Sequence, residues 1–179
     1  MRMFRRLLMV ALVATALPTA AATLPNQPVP SLDINRYAGQ WHEIARLPMY
    51  FERKCLDAVI ATYTPNPDGT VRVHNTCRTD KGRMSVEGVA RIRDNQPAAL
   101  EVRFAPAWLT WLPMAWADYW VIEVDADYRW AVIGSPERKH LWILSRQPTM
   151  DRALFLTLKE HSRQRGYQVD QLIMTAPLD

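Results

Sequence analysis

The sequence predicts an all-β domain followed by a single helix. Three observations carry this. Between Leu32 and Pro148 the chain is a succession of short runs rich in Val, Ile, Trp, Tyr and Thr, with turn signals between them. Several of these runs alternate apolar and polar residues, and after Gln147-Pro148 the period changes from two to that of a helix. A length of 179 residues with 49% hydrophobic content is that of one globular domain.

Ahead of the domain, Met1-Arg2-Met3-Phe4-Arg5-Arg6, the apolar run Leu7 to Leu17 and Pro18-Thr19-Ala20-Ala21-Ala22 have the order of a secretory signal, residues 1–22, cleaved after Ala22. The apolar run is too short to span a bilayer. Residues 23–31 contain Pro25, Pro28 and Pro30 and read as an extended linker, which leaves 32–179 as the folded domain. No cysteine lies within or just after the signal, so the expected location is the periplasm, with outer-membrane association left open. Removing Arg2, Arg5 and Arg6 lowers the formal charge of +4 to 19 basic against 18 acidic residues. That excludes the basic field on which non-specific nucleic-acid binding depends.

Eight strands follow in order. The first is Gly39 to Leu47. Ala58 to Thr64 and Thr70 to Thr76 form a hairpin across Pro65-Asn66-Pro67-Asp68-Gly69, where Pro pre-sets φ and Gly takes the positive φ that closes the turn. Met84, Val86, Gly88, Ala90 and Ile92 alternate with Ser85, Glu87, Arg91 and Arg93, with Val89 as the exception, and Leu100, Val102 and Phe104 alternate with Glu101 and Arg103. Tyr119 to Asp125, Arg129 to Gly134 and Leu141 to Arg146 complete the set. Beyond them Thr149 is the expected N-cap of a helix over 150–165 that ends before Gly166 and packs one face on the sheet, and Tyr167 to Met174 is extended. Eight hairpin-linked strands suit either a sandwich or a closed barrel, and pattern alone does not choose.

Cys55 and Cys77 are the two cysteines, and export makes a disulfide between them chemically sensible. The hairpin turn at Asn66 to Gly69 returns position 77 to the end where position 55 lies. Catalytic and metal chemistry has no visible carrier. His42-Glu43 lacks a second His at helical spacing, His74, His140 and His161 show no ligand spacing, and Ser135 and Ser145 lack a glycine-flanked elbow. The expectation is a non-catalytic protein without cofactor or metal.

Asn35-Arg36-Tyr37-Ala38-Gly39-Gln40-Trp41 resembles the signature that opens lipocalins, and Asp118-Tyr119 and Ile143-Leu144-Ser145-Arg146 follow in the family's order. Trp41-His42-Glu43-Ile44-Ala45-Arg46, Phe51-Glu52-Arg53, Ala61-Thr62-Tyr63 and Leu141-Trp142-Ile143-Leu144-Ser145-Arg146-Gln147-Pro148 resemble the bacterial outer-membrane lipocalin group more specifically. The resemblance implies an eight-stranded antiparallel up-and-down barrel, closed at one end by Trp41 under the Arg146 guanidinium, with the C-terminal helix packed outside. It also implies binding, storage or transport of fatty acids or lysophospholipids in the cell envelope. Members of the group usually carry a lipid on an N-terminal cysteine, from which this sequence departs.

In that topology the connections at the open end hold the mouth candidates. Met49, Tyr50, Phe51, Arg53 and Lys54 lie in the first, and Lys139 in the last. Between the fifth and sixth strands, Trp108, Trp111, Leu112, Met114 and Trp116 stand in a connection without charge, as expected of a lid, a peripheral membrane contact or a packing cluster. Strand parity offers Val71, Val73, Val86, Ala90, Val102, Phe104, Trp120, Ile122, Trp130, Val132, Trp142 and Leu144 for the lumen, although any closed barrel needs apolar interior residues. An envelope adaptor docking through the Trp-rich connection, or a carrier of haem or another hydrophobic small molecule, is the alternative reading.

Overall fold

The computed structural model describes residues 23–93, 96–104 and 116–179, and the expected signal at 1–22 lies outside them. A four-residue helix α1 (Ile34–Tyr37) precedes eight strands, β1 (Gly39–Arg46), β2 (Asp57–Pro65), β3 (Val71–Thr79), β4 (Gly82–Arg93), β5 (Gln96–Arg103), β6 (Ala117–Val124), β7 (Trp130–Gly134) and β8 (Leu141–Ser145), then helix α2 (Arg152–Gln164) and a two-residue strand β9 (Ile173–Met174). From β1 to β8 each strand pairs antiparallel with the next, and β1 pairs with both β2 and β8, so the sheet closes into a barrel rather than a sandwich. Closure removes the unpaired edges that a flat sheet would leave. β9 adds to the part of β1 that β2 leaves free.

The short helix α1 was not read from the sequence, because four residues give no periodicity. Its cap is local chemistry: Asp33 accepts from the amides of Asn35 at 2.9 Å and Arg36 at 3.3 Å. The long helix starts later than expected. Asp151, not Thr149, is the N-cap, accepting from Leu154 N at 2.8 Å, while Thr149 Oγ1 donates to Asp179. The lead-in at 23–31 is extended but stitched to the barrel, through Val29 N to Val121 O at 2.8 Å and Asn26 Nδ2 to Ser135 O at 3.0 Å.

Two apolar layers share the barrel wall. Inside, Trp41, Val71, Ala90, Leu100, Val121, Ala131, Ile133 and Leu144 fill the end of the barrel beneath α1. Outside, Phe155 and Leu158 of α2 pack on Ile44, Ile122, Val132 and Ile143, each such burial being worth about 1.5–3 kcal/mol. Glu123 on β6 fixes the helix position, with Arg165 donating to it at 2.7 Å and His161 Nδ1 at 2.9 Å.

At the closed end the Arg146 guanidinium lies 3.9 Å over the Trp41 ring. Its nitrogens donate to the carbonyls of Arg36 at 2.7 Å, Ala38 at 2.9 Å, Gln40 at 2.8 Å and Tyr128 at 3.2 Å. These include carbonyls that the end of α1 leaves without helical partners. Gly39 sits at φ +93°, a backbone conformation that favours glycine, and Arg146 Nη1 passes 3.4 Å from where a Cβ would stand. Arg146→Ala is expected to lower unfolding free energy by about 2–4 kcal/mol in urea titration, and Arg146→Lys to recover only a minor part because it lacks the planar fork. A loss below about 0.5 kcal/mol for Arg146→Ala would show that the seal is held by Trp41 alone.

Candidate functional site

The barrel holds a cavity of about 600 Å³ above its filled end, within the range of small-molecule sites. Its wall comes from the inward positions of β3, β4 and β5, where Val73, Met84, Val86 and Val102 stand, and from Phe104 just past the end of β5. Tyr119 and Trp142 close the opposite side, and Phe51, Glu52 and His140 reach in from the connections at the open end. The Cys55–Cys77 disulfide is formed and is itself part of the wall, tying the first connection to β3.

Of the expected lumen residues, Val73, Val86, Val102, Phe104 and Trp142 line this cavity, while Val71, Ala90 and Leu144 lie in the packed layer at the closed end. Trp120, Ile122, Trp130 and Val132 are corrected: they face outward and pack with the α2 layer. Both faces of β6 and β7 are apolar because the helix covers the outer one, so alternation carries no direction there. A bulge between Val121 and Glu123 then shifts the parity within β6, leaving Tyr119, Val121 and Val124 on the inner side.

At the mouth, Met49 is buried, Phe51 lines the cavity, and the exposed Tyr50 stacks under the Arg53 guanidinium at 3.7 Å. Arg53, Lys54 and Lys139 are exposed at the rim, and none of them lines the cavity. Trp108, Trp111, Leu112 and Met114 lie outside the described residues. Trp116 is not placed as a lid. Its ring sits on the outer wall with Arg91 at 4.1 Å and Arg103 at 4.8 Å. Of the signature residues, Tyr37, Trp41 and Tyr119 are buried in the barrel, Asn35 is exposed on α1, and Asp118 meets Arg93 at 3.1 Å.

Sequence reading passed over the polar groups beneath the mouth. A bulge in β1 between Glu43 and Ala45 lets Glu43 and Arg46 meet although they are three residues apart. Arg46 is 3% exposed. It donates to Glu43 Oε1 at 3.2 Å and to the carbonyls of Glu52 and Cys55 at 3.1 Å each, and its Nε is 3.1 Å from Glu52 Oε2. This one cation holds the turn at Tyr50–Glu52 against the barrel. Trp142 Nε1 donates to the same Glu52 carboxylate at 3.2 Å. Lower down, the hydroxyls of Tyr37 and Tyr63 each meet that of Tyr119, at 2.7 and 2.8 Å, and burial pushes all three phenols up. Two buried acids against one buried base retain a proton. Burial first, then the Glu52 charge, push Glu43 up to about 8, against Arg46 and a hydrogen bond from Thr175. Burial also raises Glu52 and lowers His140. The only sequence signal for this cluster was charge in a connection otherwise aromatic.

Among the described residues no group of three or more His, Cys, Asp and Glu could hold a metal ion. The arrangement is a one-ended apolar cavity with a small polar cluster on one wall, suited to sequestering the apolar part of a molecule.

Known proteins share this architecture. The family model described as "Lipocalin-like domain" matches residues 32–177. The chain is 40% identical over 154 residues to temperature-induced lipocalin-1 of Arabidopsis thaliana, covering 84% of this chain and 82% of that protein. It is 36% identical over 177 residues to outer membrane lipoprotein Blc of Citrobacter freundii, covering 94% and 96%. Among solved structures, insecticyanin from Manduca sexta superposes with a TM-score of 0.61 at 20% identity, covering 86% of this chain and 89% of that one.

Two outcomes follow from the site's geometry. The folded chain keeps on Glu43 a proton that the unfolded chain releases near 4.5, so this contribution to stability is full below that pH and is lost as pH rises toward about 8. Denaturant titration across pH 4 to 9 should show that decline, and Glu43→Gln should flatten it, leaving a smaller slope of the same sign from Glu52. An equal slope in Glu43→Gln would place the retained proton elsewhere. Second, a Cβ on Gly88 would lie 2.6 Å from the Arg103 carbonyl and 2.6 Å from the Phe104 ring. Gly88→Ala should therefore cost about 1–3 kcal/mol in urea unfolding, and Phe104→Ala in the same chain should relieve only the ring's share.

Proposed function

The chain belongs to the lipocalin family, and from that premise we propose that it carries or stores single-chain lipids, fatty acids or lysophospholipids, in the cell envelope. Barrels of this family are those of non-catalytic binding and transport proteins. The observation that carries the reading is the cavity itself: about 600 Å³, walled mainly by apolar side chains, open at one end and sealed at the other by Trp41 and Arg146. An acyl chain entering there leaves water at about 0.8 kcal/mol per CH₂ while its head remains near the mouth. Val73, Val86, Val102, Phe104 and Trp142 are the residues we assign to the chain, with Phe51 at the entrance. Maintenance of the membrane, by removing or delivering such lipids, is the role this chemistry supports.

The envelope location is supported by the signal-like residues 1–22 and by relatives named as outer membrane lipoproteins. A periplasmic site of action, with the mouth able to meet a membrane surface, fits the exposed Tyr50, Phe51, Arg53 and Lys54 at the rim.

Calorimetric titration with fatty acids of increasing length should show affinity rising by up to about fourfold per CH₂ until the cavity is full, and then a plateau. Val102→Trp, which fills the wall, should move the plateau to shorter chains. Absence of binding at every length would remove the carrier reading, and a rise without a plateau would place the chain outside a closed lumen.

A further inference from the structure

The charges on the cavity wall have one sign. Glu52 and Asp118 line it, no Lys or Arg does among the described residues, and positions 105–115 contain no ionisable residue. Asp118 is engaged by Arg93, leaving Glu52 as the acid that meets the cavity. Its own counter-ion, Arg46, is 3% exposed and stands behind the wall, whereas Glu52 is 15% exposed on it. On the same wall, Asn75 Oδ1 is buried without a hydrogen-bond donor.

Aromatic rings surround the same point. The Trp142 ring lies 5.9 Å from His140, 6.2 Å from Tyr119 and 6.5 Å from Phe51, and Phe51 lies 5.9 Å from His140. Burial keeps the imidazole of His140 uncharged at neutral pH, so no cation from that side offsets Glu52. Ring faces are negative and attract an ammonium group, the more so when it is desolvated. An anionic head brought here would lose its hydration and face Glu52 with no cation to receive it.

We propose that this cavity selects the head of its amphiphile by charge, seating an alkylammonium group against Glu52 among Phe51, Tyr119, His140 and Trp142, in preference to an anionic head. The proposal rests on the carrier reading, since the apolar chain must occupy the rest of the cavity, toward the closed end. It assigns the three rim cations Arg53, Lys54 and Lys139 no part in holding the head.

Decyltrimethylammonium, decane-1-sulfonate and decan-1-ol share one chain and differ in head charge, and none of the three heads titrates near neutral pH. Each would be used, below its micelle concentration and at pH 7.5, to displace a neutral fluorescent reporter from the purified protein. The ammonium is expected to bind about tenfold more tightly than the sulfonate. In Glu52→Gln, whose side-chain carbonyl can still accept from Trp142 and whose backbone carbonyl keeps its bond from Arg46, the ratio should shrink to within about threefold. The wild-type comparison needs no variant, so it decides even if Glu52→Gln fails to fold. Equal or tighter binding of the sulfonate, or a ratio unchanged in Glu52→Gln, would overturn the proposal. Binding of decan-1-ol alongside either result would leave the carrier reading standing, whereas failure of all three to displace the reporter would overturn both.

Discussion

One guanidinium decides where this barrel ends. Arg146 leaves β8 at the closed end and spreads its donors over the carbonyls of Arg36, Ala38 and Gln40 while its plane covers Trp41. The chain segments it joins are more than 100 residues apart in sequence. Only a planar, permanently charged group with several fixed donors can cap helix carbonyls and stack on an indole at once. Without it, α1 would present unpaired carbonyls at the end of an apolar core, and the Trp41 plug would lose the group that covers it.

A second arginine performs the corresponding task near the mouth, at greater electrostatic cost. Arg46 is almost fully buried, and burying a charge is tolerable only with partners in good geometry. Glu43, Glu52 and two backbone carbonyls supply them. The connection between β1 and β2, whose Tyr50 and Phe51 stay exposed, is thereby held to the wall, and the disulfide fixes its far end to β3. The excess acid in this cluster retains a proton and gives an otherwise apolar cavity one chemically distinctive point.

Between these two arginines the barrel divides by function. Its closed half is packed solid by side chains from all eight barrel strands, while its open half keeps the space that the bulky residues leave. Gly88 contributes to that division, since its missing side chain is where the Phe104 ring and the β5 backbone come close. The outer helix stabilises the same wall from the other side and leaves the lumen untouched.

The amino-acid sequence by itself determined the eight strands, their order, the late helix and the pairing of Cys55 with Cys77, because alternation, turn residues and export chemistry are local properties. The signature residues also announced the seal between Trp41 and Arg146. What tertiary structure alone decided is which face of each strand looks inward. β6 and β7 are apolar on both faces, so Trp120, Ile122, Trp130 and Val132 belong to the outer layer for reasons that lie in α2, far along the chain. The bulges in β1 and β6 reset side-chain parity at single residues, which no periodicity reveals. Trp116 finds its place on the outer wall because β4 and β5 align Arg91 and Arg103 beside it. Glu52 reads as a surface acid until the fold brings Arg46 and Trp142 to it, since the partners that make a buried charge tolerable come from distant strands.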